Sequence, residues 1–189
     1  MTKPVRVAVL VSGGGTNLQA LLDQVHDSPI ARVARVISNR PDAGALQRAR
    51  RAGIPTTVLR DPSDTQELLS ALGDAQLVVL AGYLKLVPGA VVSRFRGRMI
   101  NIHPALLPDF GGPGMYGHRV HEAVLASGAK ESGATVHFVD ETFDRGAIIA
   151  QERVPVLKGD TSETLAARVL EAEHRLLPRV VLDLARSIA

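Results

Sequence analysis

The sequence contains no cysteine and no tryptophan, and aromatic residues make up only 3% of its 189 residues. The absence of cysteine excludes disulfides, thiolate metal ligands and a cysteine nucleophile. With few aromatic rings for bases to stack on and a net charge of only +3, we expect no nucleic-acid partner. The weakly basic chain is better suited to small-molecule substrates, including anionic ones.

Long apolar stretches are missing as well. No apolar run approaches the roughly 18 residues of a membrane helix, so we expect no membrane partner. The apolar run 7–11 is too short for a signal peptide and leads directly into glycines. We therefore expect a cytoplasmic protein. Since no repeat, linker or low-complexity segment interrupts the chain, residues 1–189 are expected to form a single domain.

The sequence does show a regular alternation of strand and helix patterns. Strand patterns cover 5–11, 33–37, 56–59, 77–81 and 99–103, and further ones cover 135–139, 147–151 and 152–156. Helix patterns follow residue 17 and cover 43–52, 63–72 and 90–95, with another helix near the C-terminus. Ser63 with Gln66, and Asp160 with Glu163, have the spacing of helix N-caps. The alternation predicts an α/β fold with a doubly wound, mostly parallel sheet.

A glycine turn, Ser12-Gly13-Gly14-Gly15-Thr16-Asn17, joins the first strand to the first helix. Glycines allow close approach to a ligand, and free N–H groups at a helix start favour phosphate. The turn lacks the Gly-Lys-Ser/Thr ending of a P-loop, and Leu18 stands where a dinucleotide fingerprint has its third glycine. We therefore predict a phosphate site for a mononucleotide-sized ligand and no nicotinamide cofactor. The alternative is a tight turn that binds nothing.

Asn101 and His103 form a candidate chemical site at the end of the apolar strand 99–103. Residues two apart in a strand face the same way, and Pro104 ends the strand where open α/β sheets form pockets. In the alternative interpretation, both side chains merely satisfy loop backbone. A glycine-rich segment, 109–117, suggests a mobile loop beside this pocket. His118, His121 and Glu122 follow, but their spacing differs from that of zinc proteases, and we expect no metal.

Four stretches together resemble the phosphoribosylglycinamide formyltransferases of the formyltetrahydrofolate-dependent formyltransferase family. They are Ser12-Gly13-Gly14-Gly15-Thr16-Asn17, Ala81-Gly82-Tyr83-Leu84-Lys85-Leu86, Asn101-Ile102-His103-Pro104-Ala105-Leu106-Leu107-Pro108 and Asp144-Arg145-Gly146. The resemblance implies a Rossmann-like formyltransferase fold with an antiparallel addition near the C-terminus. It also implies transfer of a formyl group from the co-substrate 10-formyltetrahydrofolate to glycinamide ribonucleotide in purine synthesis.

The resemblance further implies a role for each matching residue. Gly13, Gly14, Gly15, Thr16 and Asn17 would bind the ribonucleotide phosphate, and Glu173 would hold its ribose hydroxyls. The folate would be bound by Leu84, Lys85, Leu86, Val87, Asn101, Asp140 and Asp144. Lys85 stands where many members have arginine, and Arg60 is a candidate substitute for contacts with the glutamate tail of the folate.

The chemistry accounts for three catalytic candidates, Asn101, His103 and Asp144. When the substrate amine attacks the formyl carbon, negative charge develops on the formyl oxygen, and Asn101 and His103 can donate hydrogen bonds to it. An imidazole with a pKa near 6.5 is mostly neutral at pH 7 unless a carboxylate favours the cation, and Asp144 is the candidate carboxylate. His103, Asp144 or a water could relay the proton to the departing folate nitrogen.

Rival interpretations remain open at this point. A formyltetrahydrofolate hydrolase would direct water instead of an amine to the formyl carbon, and it usually carries an additional N-terminal domain. A methionyl-tRNA formyltransferase would need a further C-terminal domain. A non-catalytic nucleotide-binding module would explain the glycine turn but not the joint presence of Asn101, His103 and Asp144. We expect a monomer or a homodimer.

Overall fold

The computed structural model describes residues 3–188 and contains seven strands and six helices within that range. The strands are β1 (Val5–Val11), β2 (Ala31–Ser38), β3 (Thr56–Val58), β4 (Leu77–Leu80), β5 (Met99–His103), β6 (Glu131–Phe138) and β7 (Ile148–Pro155). The helices are α1 (Thr16–Gln24), α2 (Gly44–Arg51), α3 (Thr65–Leu72), α4 (Gly89–Arg94), α5 (His118–Ser127) and α6 (Ser162–Ile188).

The strands form one sheet in the order β3-β2-β1-β4-β5-β6-β7. The first five strands pair in parallel, whereas β6 pairs antiparallel with both β5 and β7. This arrangement confirms the predicted doubly wound sheet with its antiparallel addition. The chain reverses its direction of travel across the sheet between β1 and β4, and open α/β sheets bind ligands in the crevice at such a switch point.

Helices cover both faces of the sheet and form two hydrophobic cores. The larger core contains buried residues of α1, α2, α5 and α6, including Leu18, Leu46 and Leu176. The smaller core, on the other face, contains residues of α3 and α4, including Leu68 and Val91. Within residues 3–188, no helix combines the length and apolarity needed to cross a bilayer.

Two predicted helix caps are wrong by one residue. Asp64, not Ser63, caps α3 by accepting the N–H groups of Gln66 and Glu67 at 2.8 and 3.1 Å. Ser63 instead donates to the carboxylate of Asp61, which provides a competing local acceptor.

The cap of α6 shifts for a similar reason. Thr161 Oγ1 accepts the N–H of Thr164 at 3.3 Å, because the carboxylate of Asp160 pairs with Arg168 at 2.7 Å.

The antiparallel strands are longer than the sequence pattern predicts. Strand β6 begins at Glu131 instead of residue 135, and the two pieces predicted around residue 151 are one strand, β7. Pairing between Glu131 and Pro155 extends both strands through Gly133, which has no strand preference of its own. Pro155 is tolerated because it lies at the end of β7.

Candidate active site

The centre of the candidate site consists of two side-chain pairs on adjacent strands. In the register between β5 and β6, Asn101 lies opposite His137 and His103 lies opposite Thr135. Since side chains alternate across a strand, these four residues project from the same face of the sheet. Asn101 and His103, which the sequence predicts to face the same way, therefore share this face with two residues of β6.

Asp144 approaches this group from the loop after β6. Its carboxylate lies 3.5 Å from His103 Nδ1, 3.4 Å from His137 Nε2 and 3.4 Å from Asn101 Nδ2. The N–H of Gly112 donates to the same carboxylate at 2.9 Å. The structure thus brings the three catalytic candidates together, although they are separated by up to 43 positions in the chain.

Burial controls the charge of this cluster. It lowers the pKa of His103 below the usual value, even though the Asp144 carboxylate and the Phe110 carbonyl favour the imidazolium. Asp144 therefore acts in the expected direction but does not overcome the loss of solvation. Burial also disfavours charge on Asp144, but the nearby histidines and the N–H of Gly112 outweigh it and lower the pKa of the carboxyl. The carboxylate is charged beside a predominantly neutral His103 at pH 7.

Two residues that contact the histidine have left-handed backbone conformations. Phe110 has φ 55° and Asp144 has φ 56°, and the Phe110 carbonyl oxygen lies 2.8 Å from His103 Nε2. Such conformations are uncommon in residues other than glycine, and each costs on the order of 1–3 kcal/mol. The fold maintains this strain where it places an acceptor for the histidine and a carboxylate beside it.

A cavity of about 530 Å³ opens in front of these residues, and it is lined mainly by apolar atoms. All of the predicted folate-contacting residues line it: Leu84, Lys85, Leu86, Val87, Asn101, Asp140 and Asp144. Leu84, Leu86 and Tyr116 at its rim are 46–49% exposed, which is unusual for large apolar side chains. Arg60, by contrast, is not among the residues within 3–188 that line the cavity. Its side chain contacts Glu67 instead.

The glycine turn lies at the switch point, immediately after β1. Gly13, Gly14 and Thr16 are exposed, whereas Asn17 lines the cavity. Ser12 connects the turn to the opposite side of the crevice, because its hydroxyl accepts the N–H of Leu84 at 2.9 Å. The turn and the loop after β4 are therefore held together at one edge of the sheet.

Glu173 is a buried carboxyl on α6 that reaches the cavity near Asn17. Burial raises its pKa to about 7, and the Asn17 amide counteracts this only in part. Asn17 Oδ1 is itself buried without a partner among residues 3–188. A buried carboxyl and an amide oxygen without a partner, both at the cavity, are suited to binding hydroxyl groups of a ligand.

The start of α5 places two further histidines at the cavity, His118 and His121. His121 is buried, and burial together with the neighbouring His118 and His103 lowers its pKa to about 4. Among the described residues, no group of three or more side chains has the arrangement of a metal site. The structure thus provides no observation that turns these histidines into metal ligands.

Sequence reasoning did not identify His137, Thr135 and Gln151 as part of this site. Thr135 donates to the Ala105 carbonyl at 2.6 Å and accepts from Gln151 at 3.0 Å, so it fixes the loop after His103. The available signal was the alternation of polar and apolar residues in β6, which places residues 135 and 137 on one face. The register of β5 against β6, which an isolated strand pattern does not contain, determines that this face meets Asn101.

Comparison with known proteins defines the class of this chain. The sequence profile of the formyl transferase family matches residues 5–181, and the chain belongs to that family. Several similar proteins are named phosphoribosylglycinamide formyltransferase. The chloroplastic one of Arabidopsis thaliana is 47% identical over 186 residues, which cover 93% of this chain and 64% of that protein. The chain therefore spans just under two thirds of this relative.

Two further proteins of the same name match over most of their own length. The phosphoribosylglycinamide formyltransferase of Haemophilus influenzae is 41% identical, with 93% of this chain and 85% of that protein covered. The crystal structure of the one from Anaplasma phagocytophilum is 40% identical, with a TM-score of 0.90 over 98% of this chain and 88% of that chain.

Proposed function

We propose that this protein transfers the formyl group of 10-formyltetrahydrofolate to the primary amine of glycinamide ribonucleotide, a step of purine biosynthesis. The observation that carries the proposal is the convergence of Asn101, His103 and Asp144 on the wall of a mainly apolar cavity. A carbonyl-addition reaction needs hydrogen-bond donors and a proton carrier at one point, and this cluster supplies both.

The reaction begins with attack of the neutral amine on the formyl carbon. A new C–N bond forms, and the formyl oxygen becomes negatively charged in a tetrahedral intermediate. Asn101 donates a hydrogen bond to this oxygen, and His103, when it is protonated, donates a second one through Nδ1, because Nε2 contacts the Phe110 carbonyl. The bond between the formyl carbon and the folate nitrogen then breaks, and the amine proton reaches that nitrogen through His103, Asp144 or a bound water.

The proposed substrate positions follow the shape of the crevice. The ribonucleotide phosphate binds at residues 13–17, where exposed glycines and the start of α1 offer N–H groups. The ribose hydroxyls donate to Glu173, whose burial leaves its carboxylate in need of donors. The pterin ring packs between residues 84–87 and the loop that contains Asp140, where the exposed leucines supply apolar contact. These two binding directions meet at Asn101 and His103.

A spectrophotometric assay of 10-formyl-dideazafolate tests the proposal, run with and without glycinamide ribonucleotide. We expect loss of the formyl group to require the ribonucleotide, because the amine is the nucleophile. Equal turnover without the ribonucleotide would identify a formyltetrahydrofolate hydrolase, in which water takes that role. Binding of the ribonucleotide without any turnover would identify a non-catalytic binding module.

A further inference from the structure

His137 is a buried histidine that the proposed chemistry does not use. Its Nδ1 lies 2.8 Å from the carbonyl oxygen of Phe138, and its Nε2 lies 3.1 Å from Asn101 Nδ2. A carbonyl oxygen only accepts hydrogen bonds, so Nδ1 of His137 carries the proton. In the neutral ring, Nε2 is then an acceptor, and although Asp144 Oδ1 also lies 3.4 Å from it, Asn101 is the nearer group and must direct its amide nitrogen, not its oxygen, toward His137.

The Asn101 amide nitrogen has a second acceptor beside it. Asp144 Oδ1 lies 3.4 Å away, a longer and weaker hydrogen bond than the one to His137. The two N–H groups of Asn101 are thus held unequally, one firmly by His137 and one loosely by Asp144. The loosely held N–H is the one that can be redirected to a substrate atom at little cost.

We propose that His137 is a positioning residue for formyl transfer, and this inference rests on the proposed function. By accepting one N–H of Asn101, it fixes the amide so that the other N–H can donate to the developing formyl oxyanion. An amide turned by 180° would direct its oxygen to the negatively charged formyl oxygen and raise the barrier. His137 excludes that orientation, while Asp144 releases its long hydrogen bond when the substrate oxygen arrives.

The backbone around residue 146 supports this assignment, because it holds the carbonyl that selects the tautomer of His137. The Phe138 N–H donates to the Ala147 carbonyl at 2.9 Å. A Cβ atom at Gly146 would collide with the Phe138 carbonyl oxygen. Only glycine permits this close approach, which fixes the Phe138 carbonyl beside His137 Nδ1. The orientation of Asn101 is thus determined by a chain of contacts that ends in rigid backbone.

Two amide variants of His137 distinguish the effect of its hydrogen bond to Asn101 from the effect of its side-chain volume. In His137→Gln, the side-chain oxygen can occupy the place of Nε2 and accept the Asn101 N–H. In His137→Asn, the amide is one methylene shorter and reaches only the place of Nδ1. We expect kcat to fall roughly tenfold to a hundredfold in H137N, a partial loss of one oxyanion donor. KM for both substrates should change less than about threefold, and H137Q should retain kcat within about fivefold of wild type.

A spectroscopic measurement tests the same hydrogen bond without turnover. The sequence contains three asparagines, so protein labelled with ¹⁵N in asparagine and histidine gives only three side-chain amide groups. We expect an ¹⁵N–¹⁵N coupling across the hydrogen bond between Asn101 Nδ2 and His137 Nε2 in the wild-type protein. The spectrum of N101A assigns the signal. The coupling should be absent in H137N, and the Asn101 amide protons should move toward the shifts of a solvated amide.

Each outcome separates this inference from the proposed function. A wild-type kcat in H137N, an equally low kcat in H137Q, or absence of the coupling in the wild-type protein would each overturn the positioning role. The coupling measurement decides the matter even where H137N does not fold. Failure of the proposed function would instead leave the wild-type protein without ribonucleotide-dependent turnover, whatever the spectra show.

Discussion

For individual side chains around the cavity, burial and hydrogen-bond partners determine charge more than residue type does. His103 and Asp144 have side chains only 4% and 8% exposed, yet one has a pKa that favours the neutral form and the other a pKa that favours the charged form. The difference arises because Asp144 accepts a backbone N–H and faces two imidazoles, whereas His103 has a single carboxylate partner. Each of these side chains is therefore a separate test of the mechanism.

Replacement of His103 by alanine should lower kcat at least a hundredfold, because the loss of one oxyanion donor typically costs about 10²–10³ in turnover. His26→Ala is the control, since His26 is outside the described cavity lining and only partly buried. Steady-state kinetics with both substrates measures the effect. Turnover of H103A equal to that of H26A would exclude a catalytic role for His103.

Asp144→Asn should lower the pKa of His103 further, because the variant lacks the carboxylate charge that favours the imidazolium. The acid limb of the pH–rate profile should move to lower pH. NMR titration of the His103 ring provides the same midpoint directly. Asp140→Asn, which alters another acid of the cavity lining, is the control and should leave the midpoint in place. An unmoved midpoint in D144N would argue against charge coupling between the two residues.

Glu173→Gln should stabilise the protein above neutral pH. The pKa of Glu173 is raised from 4.5 to about 7, so between these pH values the native state keeps a proton that the unfolded state releases. Wild-type stability therefore falls as pH rises through this window, by about 3 kcal/mol at most. Urea unfolding at about pH 8 should show E173Q more stable than wild type, and the difference should vanish near pH 4. A difference that is independent of pH would contradict this origin.

For individual helices and strands, the sequence predicts type and order well and ends less well. Every strand predicted in the parallel part of the sheet is present, and the central strand β4 is a continuous apolar run that is buried on both faces. The caps of α3 and α6 differ from the predicted ones, because Asp61 and Arg168 bind the side chains that were predicted to cap these helices. Those partners lie close in space through turns whose geometry the linear pattern does not specify.

The glycine turn before α1 provides a test at this level. Gly15 has φ 78°, and a Cβ there would lie 2.6 Å from Ala45. A left-handed conformation costs an alanine about 1–2 kcal/mol, and overpacking adds about 1–3 kcal/mol. Gly15→Ala should thus destabilise the protein by about 2–5 kcal/mol in urea unfolding. Gly14→Ala has open space and is the matched control. Equal stability of the two variants would contradict the constraint on Gly15.

The candidate site could be predicted in part, and the division has a physical reason. Asn101 and His103 share one short strand, so their common direction follows from the sequence alone. Their proximity to Asp144 was predicted only from the resemblance to known formyltransferases, because it brings together residues up to 43 positions apart in the chain. The contribution of His137 required the register between β5 and β6, which is set by the whole sheet. The assigned roles of these residues stay predictions until the variants are measured.

Across the molecule as a whole, the central strands contribute side chains to both hydrophobic cores. In β1, Val7 and Val9 belong to the larger core, whereas Ala8 and Leu10 belong to the smaller one. The same alternation occurs in β4, with Leu77 on one side and Val78 on the other. Neither core can lose its strands without exposing the other, so the single domain predicted from the sequence should unfold cooperatively.

Two probes on opposite faces of the sheet test this cooperativity. Tyr83 is buried in the smaller core, so in Tyr116→Phe its fluorescence reports that core alone, since the sequence has two tyrosines and no tryptophan. Far-UV circular dichroism reports mainly on the larger core, because α1, α2, α5 and α6, which pack in it, contain most of the helical residues. We expect both probes to give the same urea midpoint. Glycinamide ribonucleotide should raise both midpoints together, because it adds about 2.7 kcal/mol to the free energy of unfolding at a hundredfold excess over Kd. Separate midpoints would mean that the two cores unfold independently, and they would contradict a single cooperative unit.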